Sequence, residues 1–88
     1  MKNYRPKSWS AQAREMCDRQ IEYINYGHCF IEDSMRMFRN SYRNPLIVNR
    51  AAKRFGRMLR AGKIKENKEA YIRQYPLDAK EKGLVWQI

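Results

Sequence analysis

Six cations stand between Asn49 and Ile64 in the run NRAAKRFGRMLRAGKI, with no acidic residue among them, and five of these, Arg50, Lys53, Arg54, Arg57 and Arg60, are spaced for one helix face. Their chemistry is anion recognition. A guanidinium presents a planar fork of donors that fits a phosphate or the O6/N7 edge of guanine, and a lysine supplies a point charge. At about 100° per residue the five share one arc of a helix. Ala51, Ala52, Phe55, Met58 and Leu59 take the opposite arc. A solvated face normally mixes signs, because like charges a turn apart repel. A helix with one apolar face and one purely cationic face is therefore expected, resting on a core and turned toward an anion. Asn49 is placed as its N-cap and Gly62 as the left-handed residue after its end.

The charge of the whole chain supports this. The 88 residues carry +10, and the excess is uneven. Residues 11–48 and 69–88 are each neutral, residues 1–10 carry +3 and residues 49–68 carry +7. A basic arm (residues 1–9), with Lys2, Arg5 and Lys7 able to reach a phosphate backbone, thus precedes one domain (residues 10–88). Such a stripe is the electrostatic footprint of nucleic-acid binding. No apolar run approaches the ~20 residues of a membrane span. MKNYRPKSW leads into no apolar segment, and Cys17 and Cys29 make no disulfide framework. A reduced, cytoplasmic protein is expected, nucleoid-associated if it binds DNA.

Other chemistry is sparse. His28, Cys29 and Cys17 lack the recurring four-ligand spacing of a zinc site. One histidine, with no nucleophile–base set, no phosphate-cradling glycine loop and no paired acids, argues against an enzyme. No cofactor or metal is expected.

The elements that must hold the basic helix read as follows. Ser8 or Ser10 caps a first helix reaching about Tyr26, with Ala13, Met16, Cys17, Ile21 and Ile24 on one face. Arg14, Glu15, Asp18, Arg19 and Glu22 form a mixed, solvated face opposite, Trp9 packs over the first turn, and Gly27 stops the helix. A second helix spans about Phe30–Tyr42, with Ile31, Met35, Phe38 and Tyr42 as its stripe. Because the residue before a proline avoids the helical region, Arg43–Val48 reads as a turn anchored by Leu46 and Val48. After Gly62 the period changes. Lys63–Glu66 and Ala70–Tyr75 read as strands flanking an Asn67-Lys68 turn, residues 76–83 as a polar connection, and Leu84, Trp86 and Ile88 as one face of a last strand.

In that order the elements, with VNRAAKRFGRMLRAGKI (Val48–Ile64) and the closing LVWQI, resemble a winged helix-turn-helix domain, of a kind similar to short basic proteins of phages and mobile elements. The resemblance implies an α+β fold, mainly α, of three helices and a small β-hairpin wing. It implies duplex DNA as partner, with the helix at about 49–61 in the major groove. Asn49, Arg50, Lys53, Arg54, Arg57 and Arg60 would face the DNA, Arg43 and Asn44 would touch the backbone, and Lys65 and Lys68 would ride on the wing. A transcriptional regulator or a recombination or excision accessory factor would fit. Two alternatives stay open. A basic module docking on an acidic protein, or on a second copy of itself, predicts an exposed patch of Tyr71, Tyr75 and Trp86. RNA binding predicts base-stacking aromatics, and the basic stretch holds only Phe55, on its apolar side.

Overall fold

In the computed structural model, which describes residues 7–85, five helices follow one another: α1 (Trp9–Asn25), α2 (Ile31–Arg39), α3 (Pro45–Arg60), α4 (Lys68–Gln74) and α5 (Pro76–Glu81). Their starts follow from local chemistry. Ser8 Oγ accepts the Ala11 N–H at 3.1 Å, Asn44 Oδ1 the Leu46 N–H at 2.9 Å, and Asn67 Oδ1 the Ala70 N–H at 3.1 Å. Each satisfies a first-turn donor that has no partner inside its own helix. Pro45 and Pro76 open α3 and α5, where φ is already helical and the missing N–H is not needed. At the start of α2, Asp33 Oδ2 accepts the Phe30 N–H and Glu66 Oε2 the Ile31 N–H, each at 2.8 Å. Both carboxylates suit the positive end of that helix.

α1 and α3 lie side by side in the same sense. Arg50 reaches Ser10 near their N-terminal ends, and the Lys65 N–H reaches Asn25 Oδ1 near their C-terminal ends. Between them is the core: Ala13, Met16, Cys17, Ile21 and Ile24 from α1, and Ile47, Val48, Ala51 and Phe55 from α3. Phe38 of α2 packs edge-on against Phe55, with ring centroids 5.4 Å apart, and Ile64 closes the far end. Ser34 is buried beside this core and is satisfied, its Oγ donating to Gln20 Oε1 at 2.9 Å.

The last two helices fold back onto the turn after α1. Gly27 has φ +84°, and a Cβ there would stand 2.6 Å from Ala70 Cβ and 2.9 Å from Tyr71 N. Only glycine permits both that conformation and that approach. Tyr71 is buried against Phe30, with ring centroids 4.7 Å apart. Gln74 Nε2 donates to the Tyr26 carbonyl at 3.0 Å, and Tyr75 Oη lies 2.8 Å from His28 Nδ1.

This overturns the α+β expectation. Among the described residues there is no strand, hence no β-hairpin wing. Lys63–Glu66 runs without a partner strand, Ala70–Tyr75 lies largely in α4, and much of residues 76–83 forms α5. The cause is local: Asn67 caps a helix instead of turning a hairpin, and Pro76 starts another. Trp86 and Ile88 lie outside the described residues. α3 begins at Pro45 rather than Asn49, so Leu46 and Val48 belong to the helix and not to a turn. Val48 is buried, but Leu46 is exposed. α2 ends at Arg39, where Asn40 and Ser41 follow, and Ser41 Oγ takes the Arg43 N–H at 3.1 Å. Tyr42 is consequently fully exposed. Trp9 is the first residue of α1 and about half exposed, not a cover for its first turn.

Candidate nucleic-acid interface

Arg50, Lys53, Arg54 and Arg57 recur at i, i+3, i+4 and i+7, so they form one stripe on α3. The parallel packing of α3 on α1 brings that stripe to Ser10, Ala13 and Arg14. The result is a shallow groove of about 230 Å³ lined by five cations from two helices. Its floor includes Ala13, which is buried.

Two of the cations are held. Arg50 Nη1 donates to Ser10 Oγ at 2.6 Å. Arg54 forks onto Asp18, Nε to Oδ1 at 3.0 Å and Nη2 to Oδ2 at 3.4 Å. The Asp18 carboxylate beside it raises the pKa of Arg54 further above its ordinary value. Among the described residues, Arg14, Lys53 and Arg57 have no carboxylate within 4.0 Å. All three are exposed, so their charge is carried by solvent rather than by a partner among the described residues. Arg60 continues the outward face of α3 and is exposed.

The remaining expected contacts sit elsewhere. Asn44, not Asn49, is the α3 cap, so its side chain is occupied by a backbone N–H. Asn49 is exposed on the side of α3 that faces α2. Arg43 is exposed ahead of the cap. It contributes to the low pKa of Glu15, after the hydrogen bond from Lys7 and the charge of Arg19. Lys7 is thus paired with Glu15 on α1 rather than extended in an arm; Lys2 and Arg5 lie outside the described residues. Lys65 and Lys68 ride on no wing. Lys65 is exposed just past α3, and Lys68 opens α4 in a recess shared with Glu32, Asp33, Glu66 and Lys82, where the charges are mixed. Arg14 is the groove residue that the sequence pattern assigned to a solvated face. At ~80° from the centre of the α1 apolar arc it flanks the core, but that phase does not say which flank of α1 meets α3.

The aromatic patch expected of a protein-docking module is not formed by the tyrosines described. Tyr71 is buried and Tyr75 is half-buried against it, their centroids 5.1 Å apart; Trp86 lies outside the described residues. Among the described residues no cluster of three or more His, Cys, Asp or Glu could hold a metal ion, and no helix is long and apolar enough to cross a membrane. Cys17 and Cys29 are free thiols, and burial raises both pKa values, that of Cys17 to about 11. Compared with protein families, curated proteins and solved structures, the chain finds no match.

Proposed function

We propose that the protein binds duplex DNA through α3 and the groove that α3 makes with α1. The observation that carries this is the convergence of Arg14, Arg50, Lys53, Arg54 and Arg57 on one groove with a single carboxylate, Asp18, among them. A helix of 16 residues is ~24 Å long, and its diameter of about 10–12 Å with side chains fits the width of the major groove. Arg57, Lys53 and Arg60 on the outward face of α3 reach base edges or the phosphates that flank them, and Arg14 contacts one strand's backbone from α1. Arginines that meet guanine O6 and N7 supply sequence preference, and the other cations neutralise phosphate. With no wing among the described residues, the contact proposed here lies on two helices, so its footprint is short. A role in regulating transcription, or as an accessory factor in recombination or excision, is compatible with such a binder.

A titration on random duplex at low and moderate salt tests this. Each phosphate neutralised adds about −0.9 to the slope of log K against log salt. Three to four contacts are expected, hence a slope of roughly −3 to −4. Binding no stronger than that of an unrelated protein of equal net charge would refute the proposal.

A further inference from the structure

The opposite flank of α3 has a different character. Between α2 and α3 runs a second groove of about 280 Å³ lined by Met35, Phe38, Val48, Ala52, Phe55, Gly56 and Leu59, with Arg39 and Asn49 at its edge. Its floor is the outer surface of the core residues Phe38, Val48 and Phe55. Met35, 48% exposed, forms one wall. No acidic residue lines it.

Gly56 is the second observation. It sits in the interior of α3, where glycine weakens a helix relative to alanine. Nothing among the described residues requires it. Its backbone is ordinary helix, and the nearest atom a Cβ would meet is Arg60 Nη1 at 3.5 Å, the end of a flexible side chain. The missing side chain keeps the groove open. Arg60 therefore passes over Gly56 on one rim, and Arg39 stands on the other. Among the described residues neither has a carboxylate within 4.0 Å.

We infer that this α2–α3 groove docks an acidic amphipathic helix of a partner protein. An apolar floor with unpaired cations on both rims is complementary to a helix carrying apolar residues at i, i+3, i+4 and i+7 and carboxylates on its flanks. The small residues Ala52 and Gly56, one turn apart, admit a large apolar side chain between them. A second copy of this chain is the wrong occupant, because a molecule of +10 would bring like-charged rims together. The floor of this groove and Arg39 are separate from the α1–α3 groove, and Arg60 alone is shared with the proposed DNA-facing side of α3.

The test uses the full chain and three labelled synthetic helix-forming peptides. One has leucines at i, i+3, i+4 and i+7 with glutamates elsewhere, one replaces its glutamates by lysines, and one scrambles the first so that its leucines share no face. Anisotropy should show binding of the first peptide alone, and amide shift perturbations should centre on Met35, Gly56 and Leu59. Gly56→Leu, which fills the groove while improving helix propensity, and Arg39→Glu, which reverses one rim, should each weaken that binding by about tenfold or more. Both variants should remain folded, with a cooperative melting transition. Lys80→Glu, an equal charge change on α5, should leave binding within about twofold. Equal binding of the scrambled or lysine peptide, shifts confined to Arg14, Arg50 and Arg57, or equal losses for Arg39→Glu and Lys80→Glu would each overturn the inference. So would self-association of the free protein that Gly56→Leu abolishes, which would make the occupant a second copy.

Discussion

Gly27→Ala puts a methyl group where α4 crosses the turn after α1. Two costs follow. The residue is held at φ +84°, which an L side chain adopts at about 1–2 kcal/mol. The new Cβ would also stand 2.6 Å from Ala70 Cβ, 2.9 Å from Tyr71 N and 3.0 Å from Asn67 O. Those atoms belong to the first turn of α4, where the Ala70 N–H is bound to Asn67 Oδ1 and the Tyr71 N–H to Asn67 O. They cannot yield without disturbing the cap, so relief means lifting α4 and loosening Tyr71 from Phe30. Overpacking of this sort costs about 1–3 kcal/mol, giving a total of about 2–5 kcal/mol. Gly62→Ala is the control: its φ is +73°, but a Cβ there meets nothing within 4 Å, so only the first cost applies. Urea unfolding followed by far-UV circular dichroism measures both. Gly27→Ala should exceed Gly62→Ala by about 1–3 kcal/mol. Equal costs would show that α4 does not sit on Gly27, and the packing of the C-terminal helices would be refuted with it.

Asn44→Ala should cost about 1 kcal/mol by removing the α3 cap, whereas Asn49→Ala, an exposed mid-helix change, should lie within about ±0.5 kcal/mol; denaturant titration of the two variants decides it. Burial raises the Cys17 thiol from its ordinary 9.0 to about 11. The neutral thiol is the form the fold favours, so this contribution is full below pH 9 and is lost as pH rises from 9 to 11. Stability should fall by up to about 1.4 kcal/mol per pH unit more steeply there than in Cys17→Ala, as denaturation curves across that window would show. Asp18→Asn removes the carboxylate that occupies Arg54, and should tighten DNA binding a few-fold at low salt, read by the same anisotropy titration, with less effect at high salt.

The two long helices were legible because their apolar residues repeat at helical spacing. Ala13, Met16, Cys17, Ile21 and Ile24 are the buried face of α1, and Ala51 and Phe55 anchor α3 as their phase requires. The C-terminal third was misread because β propensity outweighed the cap. Tyr71, Ile72 and Tyr75 favour strands in isolation. Yet Asn67, Glu69 in the first turn and the i, i+4 pair Tyr71 and Tyr75 carry a helical signal that packing on Gly27 makes decisive. Asn44-Pro45 was read as a break when it is a start, since proline constrains the residue before it while favouring the helix after it. At the candidate site the stripe of Arg50, Lys53, Arg54 and Arg57 was visible in the spacing. The partnership of Arg14 and Asp18 with it was not, because which flank of α1 meets α3 is set by tertiary packing that no single-helix periodicity encodes.

The proposed DNA binding places anion recognition in the α1–α3 groove rather than in a diffuse effect of net charge. Arg14→Ala and Lys80→Ala remove one positive charge each, the first from the groove and the second from α5. Salt titrations of both on the same duplex compare them directly. Arg14→Ala should weaken binding and reduce the magnitude of the log K–log salt slope by about one unit, while Lys80→Ala should leave the slope within about 0.3 of wild type. Identical slopes for the two variants would show that binding is not localised in the α1–α3 groove.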